Sequence, residues 1–204
     1  MRVENTDLRV RVSAKGPEVH VRLEPAADQE PPPNAVHRVG WLRVFSCESG
    51  ALLQSLEVRS WFTPTRFLES FEVKDVNFDG FLDMSVIQDG GAKWVRQTWW
   101  MFAPAPGKFV LNEFSKQLGE VSHNGLDLDS AHQDITARHL TDLTGCGPTK
   151  DVYHVEQGRL VLIHKEAISF PTGGALGCTL TTSDRVNGRL RVRKVQRFGP
   201  YRAG

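Results

Sequence analysis

The chain has 204 residues, of which 40% are hydrophobic and 24% charged, and its formal net charge is +1. This composition is that of a globular protein with its own core, and the balanced charge gives no attraction to nucleic acid or an anionic membrane. The first residues, MRVENTDLRVRV, lack the apolar stretch of a secretory signal. We therefore expect either a cytoplasmic protein or a mature exported chain with an added start methionine.

The N-terminal region alternates apolar and polar residues in two runs, which predicts a β-hairpin turning at Lys15-Gly16-Pro17. The segment DQEPPPN then interrupts the pattern, because three consecutive prolines lack the N–H donors that a central strand needs. We expect one domain, with an N-terminal hairpin over 1–27, a proline-rich linker over 28–35 and the main body over 36–204.

The main body contains five further pairs of alternating runs. Their predicted turns lie at 48–50, in the acidic stretch 75–83, and at 103–108, 157–158 and 186–188. Asn187-Gly188 is the strongest hairpin signal, because both residues accept positive φ. No window shows the apolar period of a helix, and FTPTRFLESF holds at most one helical turn. Six hairpins predict an all-β antiparallel meander, arranged as a β-sandwich or a small propeller-like domain.

The acidic stretch VKDVNFDGFLDMSVIQ places oxygen-bearing side chains at regular intervals. Relative positions 1, 3, 5 and 9 are Asp75, Asn77, Asp79 and Asp83, with Gly80 at position 6 and Phe81, which can offer only its backbone carbonyl, at position 7. Ca²⁺ prefers six to eight oxygen ligands, and a loop with this spacing can wrap around it. The alternative is an acidic turn held by Asx hydrogen bonds.

Position 12 of this stretch is Val86, where an EF-hand would have a glutamate, and the flanks alternate as strands. We therefore predict an EF-hand-like calcium loop on a β-hairpin, closed by Asp83, in which the ion has a structural role. Weak calcium sites are typical of extracellular modules, so the loop favours an exported protein.

Four segments together resemble a known group of inhibitors: SGALLQSLEV, FEVKDVNFDGFLDM, WWMFAPAPGKFV and YHVEQGRLVLIHK. They are similar to the periplasmic inhibitors of invertebrate-type lysozyme. They resemble more closely the related immunity lipoproteins that bacteria pair with peptidoglycan hydrolases delivered by type IV secretion systems. The resemblance covers roughly Trp41 to Lys165. It implies a periplasmic location, a lipid anchor on a native N-terminus absent from this chain, and an inhibitor in place of an enzyme.

In that family a short Ser-Gly-x-x-Tyr loop enters the cleft of the enzyme, and the best match here is GGAKW, with glycine for serine and tryptophan for tyrosine. The implied partner-binding residues are Asp89, Gly90, Gly91, Lys93, Trp94 and Arg96. The glycine pair allows close approach of the backbone, and an aromatic at a loop tip is a common interface anchor. We expect the calcium hairpin directly before Asp89 to hold one end of this segment and the strand RQTWWMF to hold the other. Alternatively, Trp94 packs in the core with Trp99 and Trp100.

Three other features of the sequence each allow two interpretations. The segment HNGLDLDSAHQDITARH could form a metal or catalytic centre, but it lacks helical HExxH spacing, which favours a polar loop before the strand DITARHL. Of three cysteines, Cys146 and Cys178 could form a disulfide that leaves Cys47 unpaired, or all three are small buried residues. The strand RLRVRKVQR is either a solvated edge or a docking surface for an acidic partner.

The sequence thus predicts a calcium-binding periplasmic immunity protein that blocks the active cleft of a lysozyme-like peptidoglycan hydrolase. The main alternative is a calcium-dependent, β-propeller-like binding or adhesion module for glycan or protein. An enzyme that uses the His/Asp-rich segment is the weakest option.

Overall fold

The computed structural model describes residues 7–25, 38–60, 71–91, 94–122, 125–139, 148–170 and 177–199. Antiparallel strands account for nearly all of them, which confirms the predicted all-β fold. The contacts of the chain form two compact units, Met1–Glu120 and Val121–Gly204. Assignment of 1–204 to a single domain stays a prediction, and its proposed linker at 28–35 lies outside the described residues.

The first unit begins with a four-stranded antiparallel sheet in the order β1-β2-β3-β4. Its strands are β1 (Asp7–Arg11), β2 (Glu18–Pro25), β3 (Arg38–Ser46) and β4 (Leu52–Ser60). Strand β2 pairs with β3 along its whole length, from Val19 opposite Ser46 to Pro25 opposite Gly40. The predicted N-terminal hairpin is therefore an integral part of this sheet.

A second four-stranded antiparallel sheet follows in the same unit, in the order β5-β6-β7-β8. Its strands are β5 (Phe71–Lys74), β6 (Asp83–Gly91), β7 (Trp94–Ala103) and β8 (Lys108–Val110), and the helix α1 (Glu113–Val121) comes next. The acidic stretch is the connection between β5 and β6, as the alternating pattern predicts.

The two sheets of the first unit share one hydrophobic core, because the period-two pattern puts apolar side chains on one face of each sheet. Val21 and Leu42 from the first sheet are fully buried in it, as is Val86 from the second. Gln54 on β4 also links the sheets: its side-chain amide donates to the carbonyl of Phe109 at 2.6 Å and accepts that residue's N–H at 2.9 Å.

Substituting Gln54 tests this link. Gln54→Leu is expected to lower the free energy of unfolding by about 1–2 kcal/mol, since both backbone groups of Phe109 lose their partner. Urea denaturation followed by tryptophan fluorescence measures the change. Gln88→Leu is the matched control, because Gln88 is half-buried on β6 and should shift the midpoint little. Equal effects of the two substitutions would contradict the link.

The second unit is a six-stranded antiparallel meander in the order β14-β13-β12-β11-β10-β9. Its strands are β9 (Leu126–Asp129), β10 (Asp134–His139), β11 (Thr149–Glu156), β12 (Arg159–Ser169), β13 (Cys178–Val186) and β14 (Arg189–Phe198). The turns predicted at 157–158 and 186–188 each contain two residues with left-handed backbone: φ is 52° and 71° at Gln157 and Gly158, and 51° and 79° at Asn187 and Gly188. These are the dihedrals that a type I′ hairpin turn requires.

Two elements differ from the sequence-based expectation. The helix α1 was not predicted, although Asn112 caps it by accepting the N–H of Ser115 at 2.9 Å, and Phe114 and Leu118 face inward one turn apart. Strand β9 lies in a segment expected to be a polar loop. No helix among the described residues has the length and apolar character needed to cross a membrane.

Candidate functional site

The loop between β5 and β6 is folded around its own oxygen atoms. The two carboxylate oxygens of Asp75 accept the N–H groups of Asp79 (3.1 Å) and Gly80 (3.0 Å). Asn77 accepts the N–H of Asp79 at 3.2 Å and donates its amide to the carboxylate of Asp79 at 2.9 Å. Asp79 in turn accepts the N–H of Phe81 at 2.9 Å. The first three predicted ligands therefore lie next to each other.

The loop is anchored on the core of the first unit. Gly80 has φ of +86°, a left-handed conformation that lets the chain reverse sharply. Leu82 donates its N–H to the carbonyl of Val12 at 2.6 Å. The ring of Phe81 packs against that of Phe102, with centroids 5.6 Å apart. These contacts hold both the shape and the position of the loop.

Asp83, the first residue of β6, has a different environment because it is completely buried. One carboxylate oxygen accepts the N–H of Phe102 at 2.8 Å and the other accepts the N–H of Val76 at 3.2 Å. Burial raises the pKa of Asp83 to about 7, against the lowering effect of these two donors, and the charges of Asp79 and Asp75 add to the rise. Asp83 therefore joins the loop to β7 by two buried hydrogen bonds.

The fit to calcium is partial in this conformation. Asp75, Asn77 and Asp79 offer oxygens on one loop, whereas Asp83 is turned towards backbone donors. Across the described part of the chain, no three His, Cys, Asp or Glu side chains are grouped closely enough to hold a metal. The loop nevertheless concentrates carboxylates, the donors that a hard cation prefers. An ion bound by all predicted ligands would have to share the oxygens of Asp83 with its two N–H donors.

The predicted partner-binding segment is the β6–β7 hairpin. The residues are Asp89, Gly90 and Gly91 in β6, Trp94 and Arg96 in β7, and Lys93, which lies outside the described residues. The strands stay paired to their ends, where Gly91 is opposite Trp94, and the register shifts between Ile87 and Asp89. Arg96 is exposed. The side chains of Asp89 and Trp94 also lie outside the described residues, so core packing of Trp94 stays an alternative.

The acidic loop and the β6–β7 hairpin tip lie at opposite ends of β6. Strand β6 runs from Asp83 to Gly91, and a strand rises ~3.3 Å per residue, so the two ends are roughly 25 Å apart. The calcium hairpin reaches the partner-binding segment through its second strand, β6, which is paired with β7 there; that it holds this end of the segment stays a prediction. The loop can affect the tip only through strand β6, whose first residue it fixes.

The described acidic and imidazole side chains of the His/Asp-rich segment do not converge. They form separate pairs: Asp127 with Arg138 (2.7 Å), Asp129 with His132 (2.8 Å), Asp134 with His154 (2.8 Å) and His139 with Asp151 (3.3 Å). Asp129 and His132 are both exposed, and the hydrogen bond between them lowers the pKa of the Asp129 carboxyl and raises the pKa of the His132 imidazole. His123 lies outside the described residues. This pattern of separate pairs, one local at the β9–β10 turn and three between strands, favours a structural role over a catalytic or zinc centre.

The cysteines differ in state. Cys178 is disulfide-bonded, and Cys47 is a free, half-buried thiol. This is the arrangement that the predicted Cys146–Cys178 disulfide requires, although Cys146 lies outside the described residues. A structural disulfide is typical of an oxidising compartment.

Comparisons with known proteins give one informative similarity. No protein-family model matches the chain, and no curated protein matches its sequence. A solved structure described as a Xanthomonas type IV secretion system related protein has the same fold, with a TM-score of 0.61 over 95% of this chain and 96% of that one. The two sequences are 12% identical. At this identity the similarity concerns the fold alone.

Proposed function

We propose that this chain is a periplasmic immunity protein that binds a lysozyme-like peptidoglycan hydrolase and occludes its active cleft. The observation that carries the proposal is the β6–β7 hairpin, paired up to Gly91 and Trp94, on a fold shared with a type IV secretion system related protein. The disulfide at Cys178 supports export. The protein acts by binding and catalyses no reaction, and a lipid anchor on the native N-terminus would keep it at the membrane.

The hairpin suits a glycosidase cleft for physical reasons. Such a cleft is concave and contains two catalytic carboxylates. A hairpin that is already paired loses little conformational freedom on entering it, so more of the contact energy remains as affinity. The cationic side chains of Lys93 and Arg96 complement those carboxylates. The glycines at 90 and 91 allow close approach of the backbone.

The proposal is tested by mixing the purified chain with hydrolases secreted through type IV systems and with invertebrate-type lysozyme, then following clearance of a peptidoglycan suspension. We expect stoichiometric inhibition of the cognate enzyme and a complex of the two proteins by size-exclusion chromatography. Binding of the chain to peptidoglycan without any effect on the enzymes would favour the alternative adhesion module. Neither inhibition nor complex formation with any of the enzymes would reject the proposal.

We also propose that the β5–β6 loop binds one Ca²⁺. The ligands would be Asp75, Asn77, Asp79, the carbonyl of Phe81, and Asp83. The ion would offset two of the three carboxylate charges on one short loop and would hold the β5–β6 connection rigid. It is a structural ion, because these ligands leave little room for an activated water.

Calcium removal tests the site. A ligand that binds only the folded state stabilises it by about 1.4 kcal/mol when its free concentration is ~10 times the Kd. Chelation is therefore expected to lower the Tm of the wild-type protein, and Asp79→Ala should abolish that sensitivity. Asp127→Ala, which changes an exposed aspartate in the other unit, is the control and should keep it. A wild-type Tm that does not respond to chelator would exclude the site.

A further inference from the structure

Strand β14 forms one edge of the six-stranded sheet, and among the described strands only β13 pairs with it, along one side of its backbone. Its ten residues, RLRVRKVQRF, include five cations and no carboxylate. Apart from Gln196, every residue of the strand is exposed. The second side of β14 therefore presents a long, basic row of backbone N–H and C=O groups to the surroundings.

One face of β14 carries exposed apolar side chains. The register with β13 places Leu190, Val192 and Val195 on this face, and the irregularity between Thr182 and Ser183 brings the last two into line. They are 42%, 62% and 57% exposed, respectively. A strand that only had to stay soluble would not need three such residues in a row on its edge.

The opposite face of β14 carries most of its charge. Arg189, Arg191 and Lys194 lie there by register. Arg193 is held by Asp184 at 3.0 Å. The other basic residues of the strand have no ion-pair partner among the described residues. This face is therefore complementary to negative charge.

We propose that the free edge of β14 binds an extended segment of a partner protein as an additional β-strand, and that this segment alternates acidic with apolar residues. Backbone hydrogen bonds would give affinity, and the two faces would select alternate side chains. A second copy of β14 is disfavoured, because it would bring cations against cations. A bilayer is disfavoured because it would have to contact the apolar face and the cluster of Arg189, Arg191 and Lys194 together, whereas these lie on opposite faces and only Arg197 shares the apolar one. The inference is independent of the proposed function.

The test uses a labelled peptide in which glutamate alternates with valine, roughly eight residues long to match a strand, and measures its Kd by fluorescence anisotropy. We expect saturable binding that weakens at least tenfold in Arg191→Glu/Lys194→Glu. The matched control is Lys150→Glu/Arg159→Glu, which reverses two exposed charges on interior strands and should leave the Kd unchanged. A peptide with alternate amides N-methylated should not bind, since it cannot complete the ladder.

Four results would overturn the inference. They are no saturable binding of the glutamate–valine peptide, equal binding of the N-methylated peptide, equal losses in the two double variants, and equal binding of a lysine–valine peptide. Binding of the protein to phosphatidylglycerol vesicles is measured as well. Binding to them that depends on Arg191 and Lys194 would assign the strand to a membrane surface and would also reject a partner strand.

Discussion

Asp83→Ala is expected to lower the free energy of unfolding by about 2–3 kcal/mol at pH 5 in the presence of a calcium chelator. The substitution removes a fully buried carboxyl group and leaves the N–H groups of Val76 and Phe102 without partners. An unpaired buried donor costs about 1–3 kcal/mol. Urea denaturation monitored by tryptophan fluorescence measures the loss, independently of any role of Asp83 as a calcium ligand.

The effect should shrink as the pH rises. Burial raises the pKa of Asp83 to about 7 in the folded protein, whereas in the unfolded chain it is near 4. The stabilising contribution of Asp83 to the free energy of unfolding is therefore fully present below pH 4 and is lost as the pH rises towards 7. Within this window the free energy of unfolding falls by about 1.4 kcal/mol per pH unit. The wild type without calcium should lose stability over this range, whereas the variant should lose less.

Asp79→Ala is the control for this substitution. Asp79 is exposed, so its loss should cost under about 1 kcal/mol with chelator present. A variant at Asp83 that is as stable as the wild type at pH 5 would show that the two backbone bonds contribute little. Comparing the free energies of unfolding of the two variants separates the stabilising effect of the buried Asp83 hydrogen bonds from that of any cation bound by the loop.

The hairpins were predictable because turn chemistry is local. At Asn187-Gly188 and Gln157-Gly158 the structure has the left-handed dihedrals that favour glycine and asparagine. Alternation in the flanking strands then specifies which side chains face the core. The local sequence thus determines the order of strands along the chain, which in a meander is nearly the order of strands in each sheet.

The apolar face of the short helix α1 extends over only two helical turns, which is too short to give a clear helical period in the sequence. Its signal is the cap at Asn112 followed by Phe114 and Leu118, which a search for long periodic windows misses. Strand β9 was missed for a different reason. Its aspartates are typical of loops, whereas in the structure Asp127 pairs across the sheet with Arg138.

The candidate loop could be located from spacing, but the orientation of Asp83 could not. Its partner Phe102 is 19 residues away in sequence, and that contact depends on how β7 packs against the loop. The acidic loop and the hairpin tip are separated by strand β6, whose register with β7 shifts between Ile87 and Asp89.

Trp94→Ala is expected to weaken inhibition of the cognate hydrolase at least tenfold. An aromatic anchor at the centre of an interface typically accounts for at least ~2 kcal/mol of binding. Trp94 begins β7 directly opposite Gly91, which places it next to the turn at the hairpin tip. Inhibition constants from peptidoglycan clearance, with the variant's fold checked by circular dichroism, measure the change.

The companion substitutions decide what kind of contact the hairpin makes. Lys93→Ala added to Trp94→Ala should weaken inhibition further, with an effect that decreases in high salt if Lys93 faces a carboxylate. Phe170→Ala removes an aromatic that is 49% exposed in the other unit, so it should leave inhibition unchanged and serves as the control. Full inhibition by both hairpin variants, with their folds intact, would show that another loop enters the cleft. The segments around His123 and Gly145 would then be the next to substitute; in sequence the first lies between α1 and β9, and the second between β10 and β11.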